Sequence, residues 1–423
     1  MKTHVQSAIL IVMTLLIIPL QATAADGPTP VLKPGDRVGI CGDSITEQKM
    51  YSAFIDAYLV MCQPQLKLQA AQFGWSGETT WGFKSRISKD VLYFKPTVVT
   101  TCYGMNDAGY GPLNPDLAKN YRESTLDIVR QLKGAGVRVI VLGSPGVVDS
   151  ETFRNNAEQA IIYNKTLRSF GDIDKEIAAA EGCVFADVHD VMMQAMTRFK
   201  AANPGVPFAG GDGVHPGENG HLAMAYAFLK ALGCDGNIGT VTVDLTGKKA
   251  EASEGHDVVS FDGRTLELQS SRYAFAVPGD VTHADSAKAS LPFLPFNEDL
   301  NRFVLKVPGV TGSYKVTWGA VTKTFTAEQL TSGVNLAVEF LDHPFTQTFN
   351  QIFNMIREKQ NLETTLTKDW LHNAEQQRKN FPEAGDAFDR IAQAGVTAQQ
   401  RLNDAVTKAV VPIKHSIVIE PAN

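Results

Sequence analysis

Five short apolar runs punctuate the first half of the chain, at residues 37–41, 66–73, 97–103, 138–142 and 183–188. They are rich in Val, Ile, Leu and Phe and mostly do not alternate with polar residues, the pattern of strands buried on both faces. Between them apolar residues recur at helical spacing over 48–61, 80–91, 115–135 and 152–181. A last helix, 218–232, starts just after Pro216 and stops near Gly233, ordinary start and stop signals. Strands alternating with helices predict a three-layer α/β/α domain on a five-stranded parallel sheet, because right-handed crossovers put the helices on both faces.

The pattern changes after Cys234. Short strand-like runs at 240–245, 257–261, 265–269, 273–277, 303–307, 313–318 and 321–325 are separated by turns such as Asp262-Gly263 and Pro308-Gly309. They predict a small antiparallel β-sandwich. Helical spacing returns at 335–341, 344–371 and 384–410, and Phe345, Phe349 and Phe353 share one face, whose expected use is burial against the sandwich or the α/β domain. A final apolar run, 413–419, can return as an edge strand. The division expected is a leader at 1–25, an α/β domain at 26–236, a sandwich at 237–330 and a helical accessory region at 331–423.

Composition narrows the class. Lys2 and His4 precede an apolar run from Ala8 to Leu20 and then Ala22-Thr23-Ala24, the layout of a secretory signal peptide cleaved near Ala24 or Ala25. The run falls short of the roughly 20 residues a membrane span needs, so export to the periplasm or the medium is expected, without stable membrane insertion. A formal net charge of -6 without long single-sign runs gives no expectation of nucleic acid as a partner. Five cysteines are too scattered for a disulfide framework; Cys41 and Cys102 read as buried thiols, with a bridge between them open in an oxidising compartment. No CxxC or HExxH pattern occurs, and no cofactor or metal is predicted.

Candidate chemistry sits where the first three strands and the last helix meet their loops. Gly42-Asp43-Ser44 follows the first strand, and a serine at a strand-to-helix turn on the carboxyl edge of a parallel sheet faces the crevice where such folds place their chemistry. Alone the tripeptide is weak, since Asp and Ser are ordinary cap residues. Gly77 lies in the loop after the second strand, Gly104-Met105-Asn106-Asp107 follows the third, and Asp212-Gly213-Val214-His215 precedes the last helix.

In these four ordered blocks the chain resembles the SGNH hydrolases, also called GDSL esterases and lipases, over about residues 35–234. The surroundings of Ser44 depart from the Gly-x-Ser-x-Gly elbow of larger α/β-hydrolases. The resemblance therefore implies the flavodoxin-like SGNH sheet and a serine carboxylic-ester hydrolase. It makes Ser44 the nucleophile, His215 the general base and then acid, and Asp212 the carboxylate that orients the imidazole. It implies an oxyanion hole from the backbone N–H of Ser44, the backbone N–H of Gly77 and the side-chain amide of Asn106. Asp43 and Asp107 are expected to hold their own loops through local hydrogen bonds. A second grouping of Asp43 or Asp187 with His189 is possible on residue types but lacks the family match.

Trp75, Tyr103 and Met105 flank the glycines of two of these loops and are the candidate substrate rim, while Trp81 is expected in the core. No long apolar lid is visible. The expected substrates are short-chain esters, acetyl esters of carbohydrates first. Lysophospholipase or thioesterase action is the enzymatic alternative, and a catalytically idle glycan-binding scaffold is the non-enzymatic one. The accessory region is expected to narrow access to Ser44.

Overall fold

The computed structural model describes residues 31–422, so the predicted leader lies outside the described residues. The α/β domain runs β1 (Arg37–Gly42), α1 (Ser44–Glu47), α2 (Tyr51–Ala57), β2 (Gln69–Gly74), α3 (Thr80–Lys84), β3 (Val98–Cys102), α4 (Pro115–Gly134), β4 (Val139–Gly143), α5 (Ala157–Glu181), β5 (Val184–Ala186), α6 (Val188–Ala202) and α7 (Glu218–Ala231). The sheet has five strands in the order β2-β1-β3-β4-β5, all parallel, as expected. Because β1 lies between β2 and β3, the loops leaving those three strands meet at one edge of the sheet.

Local differences have local causes. The helix expected over 80–91 stops at Lys84, and Arg86 beyond it turns inward onto Glu78 and Asp90. The segment expected at 48–61 divides into α2 and a π-helical turn, Tyr58–Cys62. Helix α6 was not foreseen, because the apolar run at 183–188 masked its start; Asp187 caps it, accepting from Asp190 N at 3.1 Å, and Met192, Ala195, Met196 and Phe199 form its buried face. All five cysteines are free, with Cys41 and Cys102 buried, so the bridge between them does not form.

After Gly236 come two sheets. One joins β6 (Asn237–Asp244), β7 (Lys249–Ala252), β10 (Arg302–Lys306) and β13 (Val334–Asn335) in the order β13-β10-β6-β7. The other joins β8 (His256–Phe261), β9 (Thr265–Ser270), β11 (Ser313–Trp318), β12 (Val321–Thr326) and β14 (Ile413–Pro421) in the order β12-β11-β14-β9-β8. Phe303 of the first sheet meets Trp318 of the second, with ring centroids 5.5 Å apart. The sandwich is not purely antiparallel: β6 and β10 run parallel. Nor is 273–277 a strand; it is buried, and Phe275 exchanges its backbone bonds with the Asn301 side chain. The final strand returns to the centre of its sheet rather than to an edge, pairing with β11 and β9, and buries His415, Ile417 and Ile419 on one face.

The accessory helix Thr346–Thr365 continues as the π-helical segment Leu366–Leu371 and packs on α2 and β2. Phe345, Phe349 and Phe353 are buried, as the shared face predicts; Phe353 stacks on Phe54 of α2, 5.5 Å between centroids. Helix Gly385–Ala409 folds back along the accessory helix. Among the described residues no helix is long and apolar enough to cross a membrane.

Candidate active site

Ser44 is the first residue of α1, directly beyond β1, and Asp43 caps that helix by accepting from Ile45 N at 2.9 Å. The Ser44 hydroxyl lies 2.7 Å from His215 Nε2, and His215 Nδ1 lies 2.6 Å from Asp212 Oδ2. Nδ1–H therefore donates to the carboxylate and leaves Nε2 to accept from the serine O–H. Asp212 Oδ1 also accepts from the backbone N–H groups of Val214 and His215, each at 2.9 Å, so the carboxylate wraps its own turn. Burial works against the Asp212 anion, but those N–H groups and the imidazole hold its carboxyl below the usual range.

The loop bearing Asp212 is fastened from outside. Gly210 has φ +75°, and a Cβ there would stand 1.8 Å from the His215 carbonyl oxygen, so only glycine lets the chain pass under the histidine. Buried Asp149 accepts from Phe208 N and from Lys200 Nζ, each at 2.8 Å, while its own N–H donates to the Gly213 carbonyl at 2.9 Å. His221, on α7, accepts from Tyr51 N at 3.3 Å and donates to the Gln48 side chain at 2.9 Å, tying the helix that follows His215 to the segment that follows Ser44. Acceptance at Nδ1 needs a neutral ring, and burial pushes the His221 pKa down to about 3. The sequence reading missed Asp149 and His221; His221, on the helix that directly follows His215, was the available signal.

The other two loops close on the serine from β2 and β3. Trp75 N–H donates to the Gly42 carbonyl at 3.0 Å, and Glu78 N–H to the Trp75 carbonyl at 3.1 Å. That closes a tight turn whose third residue, Gly77, has φ +73°, the sign a type II turn demands. The Asn106 amide donates to the Glu78 carbonyl at 3.1 Å and makes a longer contact, 3.5 Å, with Asp43 Oδ2, while its own carbonyl accepts from Tyr110 O–H at 2.8 Å. Asp107 accepts from Thr80 N–H and O–H (2.9 and 2.6 Å) and from Gly104 N–H (3.0 Å), bonds that hold the Asn106 loop against α3. Beneath the turn, Arg86 grips both oxygens of buried Glu78 at 2.6 and 2.7 Å.

Two rim assignments are corrected. Tyr103 is 3% exposed, with its hydroxyl donating to Glu78 Oε2 at 2.8 Å and its ring stacked on Phe83. Met105 is 2% exposed, and its carbonyl accepts from the Tyr163 hydroxyl. The Tyr103 side chain turns into the core because Glu78 and Phe83 partner it there, and the apolar Met105 side chain is buried as well. Trp75 is half-buried under the accessory region, its ring 4.7 Å from that of His372 and 4.9 Å from Lys368 Nζ. Trp81, expected in the core, is 67% exposed. The alternative grouping is not assembled: His189 Nδ1 is bonded to the Gly146 carbonyl, and Asp187 faces Arg168. Among the described residues no group of three or more His, Cys, Asp or Glu side chains is placed to hold a metal ion.

Asp43 is the most perturbed carboxyl beside the serine. Burial pushes its pKa up to about 7, opposed by the Ile45 N–H and aided by the charges of Asp107 and Glu78. Below about pH 4 the group is protonated folded and unfolded alike, so it contributes no difference. As pH rises the unfolded chain ionises first and the folded state bears a cost that is complete above pH 7. Asp43→Asn keeps a carbonyl oxygen for Ile45 N–H without the charge. Its melting temperature should match the wild type near pH 4 and exceed it increasingly up to pH 7–8, by on the order of 3 kcal/mol in stability. A difference that is flat or shrinks with rising pH, measured by thermal denaturation at pH 4, 6 and 8, contradicts this.

A parallel three-layer sheet with serine, imidazole and carboxylate in line at its carboxyl edge is the arrangement of an α/β serine hydrolase. Residues 40–223 match the GDSL-like lipase/acylhydrolase family. The acetylxylan esterase of Geobacillus stearothermophilus is 26% identical over 214 residues, 47% of this chain and 91% of that protein. A solved gut microbial diltiazem-metabolizing enzyme superposes with a TM-score of 0.72 at 22% identity, covering 94% of this chain and 99% of its own, so the α/β domain and accessory region recur together as one fold. The α/β domain belongs to the SGNH, or GDSL-like, hydrolase family, and the protein is a carboxylic-ester hydrolase.

Proposed function

We propose that the protein is an exported serine esterase that removes short acyl groups, acetyl foremost, from carbohydrate hydroxyls. The observation that carries the chemistry is the continuous 2.7 and 2.6 Å line from Ser44 through His215 to Asp212. In this mechanism Ser44 Oγ attacks the acyl carbonyl while His215 Nε2 takes its proton, and Asp212 stabilises the imidazolium that forms. The charge developing on the carbonyl oxygen meets the N–H groups of Ser44 and Gly77 and the Asn106 amide hydrogen that otherwise makes only the long 3.5 Å contact with Asp43. His215 then protonates the departing alcohol, and water cleaves the acyl-serine by the same steps.

The carbohydrate ester is supported by the relative described as an acetylxylan esterase. It is supported also by a groove of about 400 Å³ between α3 and α4, bordered by Asp107 of the Asn106 loop, where exposed Trp81 stands with Asn120, Glu123 and Asp127. An aromatic face next to hydrogen-bonding groups suits a sugar ring. Export is supported by the leader pattern of residues 1–25, and sequencing the amino terminus of the secreted protein should place the new end near Ala25 or Asp26.

The substrate class is tested on one panel: acetylated and feruloylated polysaccharides, a lysophospholipid and an acyl thioester, each read by released product. Acetate release from the polysaccharides should have the highest kcat/KM. A lysophospholipid or thioester turned over ten times faster would replace the carbohydrate reading with the corresponding alternative.

A further inference from the structure

The Gly77 turn is braced by a residue far away in sequence. Glu47, at the end of α1, accepts from Ser76 N–H at 2.6 Å and from Ser76 O–H at 2.5 Å, both on Oε2. Its other oxygen, Oε1, is held by Lys368 Nζ from the π-helical end of the accessory helix. The same ammonium lies over the Trp75 ring, which His372 covers as well. Both ends of the carboxylate are thus committed, one to the accessory region and one to the residue immediately before Gly77. Glu47 is also only three positions beyond Ser44, so the brace spans the helix of the nucleophile and the turn of the oxyanion donor.

From this geometry we propose that Lys368 is a positioning residue for the esterase reaction: through Glu47 it fixes Ser76, the residue that carries the Gly77 N–H into place, so that the accessory region sets the geometry of the oxyanion hole. The proposal rests on the oxyanion role given above to Gly77. Physical reasons favour positioning over an ordinary surface ion pair. The side chains of Lys368 and Glu47 are 23% and 19% exposed, which limits screening by solvent. Burial works against the Glu47 anion, yet Lys368 and Ser76 together hold its carboxyl below the usual range. Most directly, donors in an oxyanion hole act through placement, so a shift of the turn is read in the transition state rather than in substrate binding.

The test uses the full chain and five proteins: wild type, Lys368→Met, Lys368→Arg, Glu47→Gln and the Lys368→Met/Glu47→Gln double variant. On p-nitrophenyl acetate Lys368→Met should lose about 10- to 30-fold in kcat with KM within about 2-fold, less than the loss from deleting an oxyanion donor outright. Affinity for a phenylboronic acid, which forms a tetrahedral adduct on the serine, should weaken by the same factor. Lys368→Arg should restore most of kcat, and the double variant should be no worse than Glu47→Gln alone. Wild-type kcat in Lys368→Met, or losses in the two single variants that multiply in the double, overturns the proposal. A loss carried by KM with boronate affinity unchanged overturns it too, since that pattern reports altered access. If Ser44→Ala retained turnover, the esterase reading itself would fail, an outcome separate from all of these.

Discussion

Replacing Ser44 by alanine is expected to lower kcat for p-nitrophenyl acetate by about 10⁴- to 10⁶-fold while leaving the melting temperature within a degree or two. The size follows from the unity of the constellation. His215 has its acceptor nitrogen 2.7 Å from the hydroxyl and its other nitrogen fixed by Asp212, so with the hydroxyl gone neither partner has a reacting atom to serve. The fold should not notice, because Asp43 caps α1 through Ile45 and not through the serine side chain. An organophosphonate should label the wild type at Ser44, found by peptide mass spectrometry, and should not label the variant. Turnover within tenfold of wild type in Ser44→Ala, or labelling at another residue, would sink the assignment. Tight glycan binding by the wild type with no turnover of any ester would instead support the idle-scaffold alternative.

What the sequence displayed about this site, and what it hid, divides along a physical line. Residues that must sit at the ends of strands were legible, because a strand end is marked by where the apolar run stops: Ser44, Gly77 and Asn106 follow β1, β2 and β3 directly or within a few residues. Asp212 and His215 were legible because a carboxylate three positions before an imidazole can close on it within one turn, as it does. Direction of side chains was not legible. Tyr103 and Met105 adjoin Gly104, but adjacency in a loop does not say which face a side chain takes, and both are buried, Tyr103 against Glu78 and Phe83. Trp81 went the other way for the complementary reason: α3 stops after Lys84 and leaves the ring on its outer face.

Long-range polar partners were the largest gap. Glu47 and Lys368, or Arg86 and Glu78, carry no spacing signal, because what joins them is the fold and not the chain. One signal did exist in the accessory helix. The apolar stripe through Phe349, Phe353 and Ile356 continues at helical spacing into Lys359, Gln360 and Glu363, so that charged residues extend a buried face. A stripe that changes character without leaving its face marks a polar partner on the surface it covers. Here that surface is β2, the edge strand of the parallel sheet. Glu363 accepts from Gln72 N–H at 3.0 Å and Lys359 donates to the Ala70 carbonyl, so side chains from the accessory helix satisfy backbone groups that an open edge would leave to water or to another strand.

That arrangement makes Lys359→Met the substitution expected to cost most in stability, about 3–5 kcal/mol. Lys359 is fully buried, with Nζ 2.6 Å from Asp56 and 3.4 Å from Glu363. Asn403 lies 3.1 Å from the same ammonium, and Gln399 donates to Glu363 at 3.0 Å. Removing the ammonium strands two carboxylates in the interior without their counter-charge and leaves the Ala70 carbonyl without its donor. Methionine fills most of the volume of the lysine stem, so the loss reports charge more than packing. Equilibrium denaturant unfolding should show the midpoint falling with little change in slope. Adding Glu363→Gln to the variant should recover part of the loss, because one of the stranded charges disappears while the Gln72 N–H keeps an acceptor. A single variant within about 1 kcal/mol of wild type would mean that the pocket shed its charges by taking up protons, and that the ammonium is not what holds the accessory helix to the sheet edge.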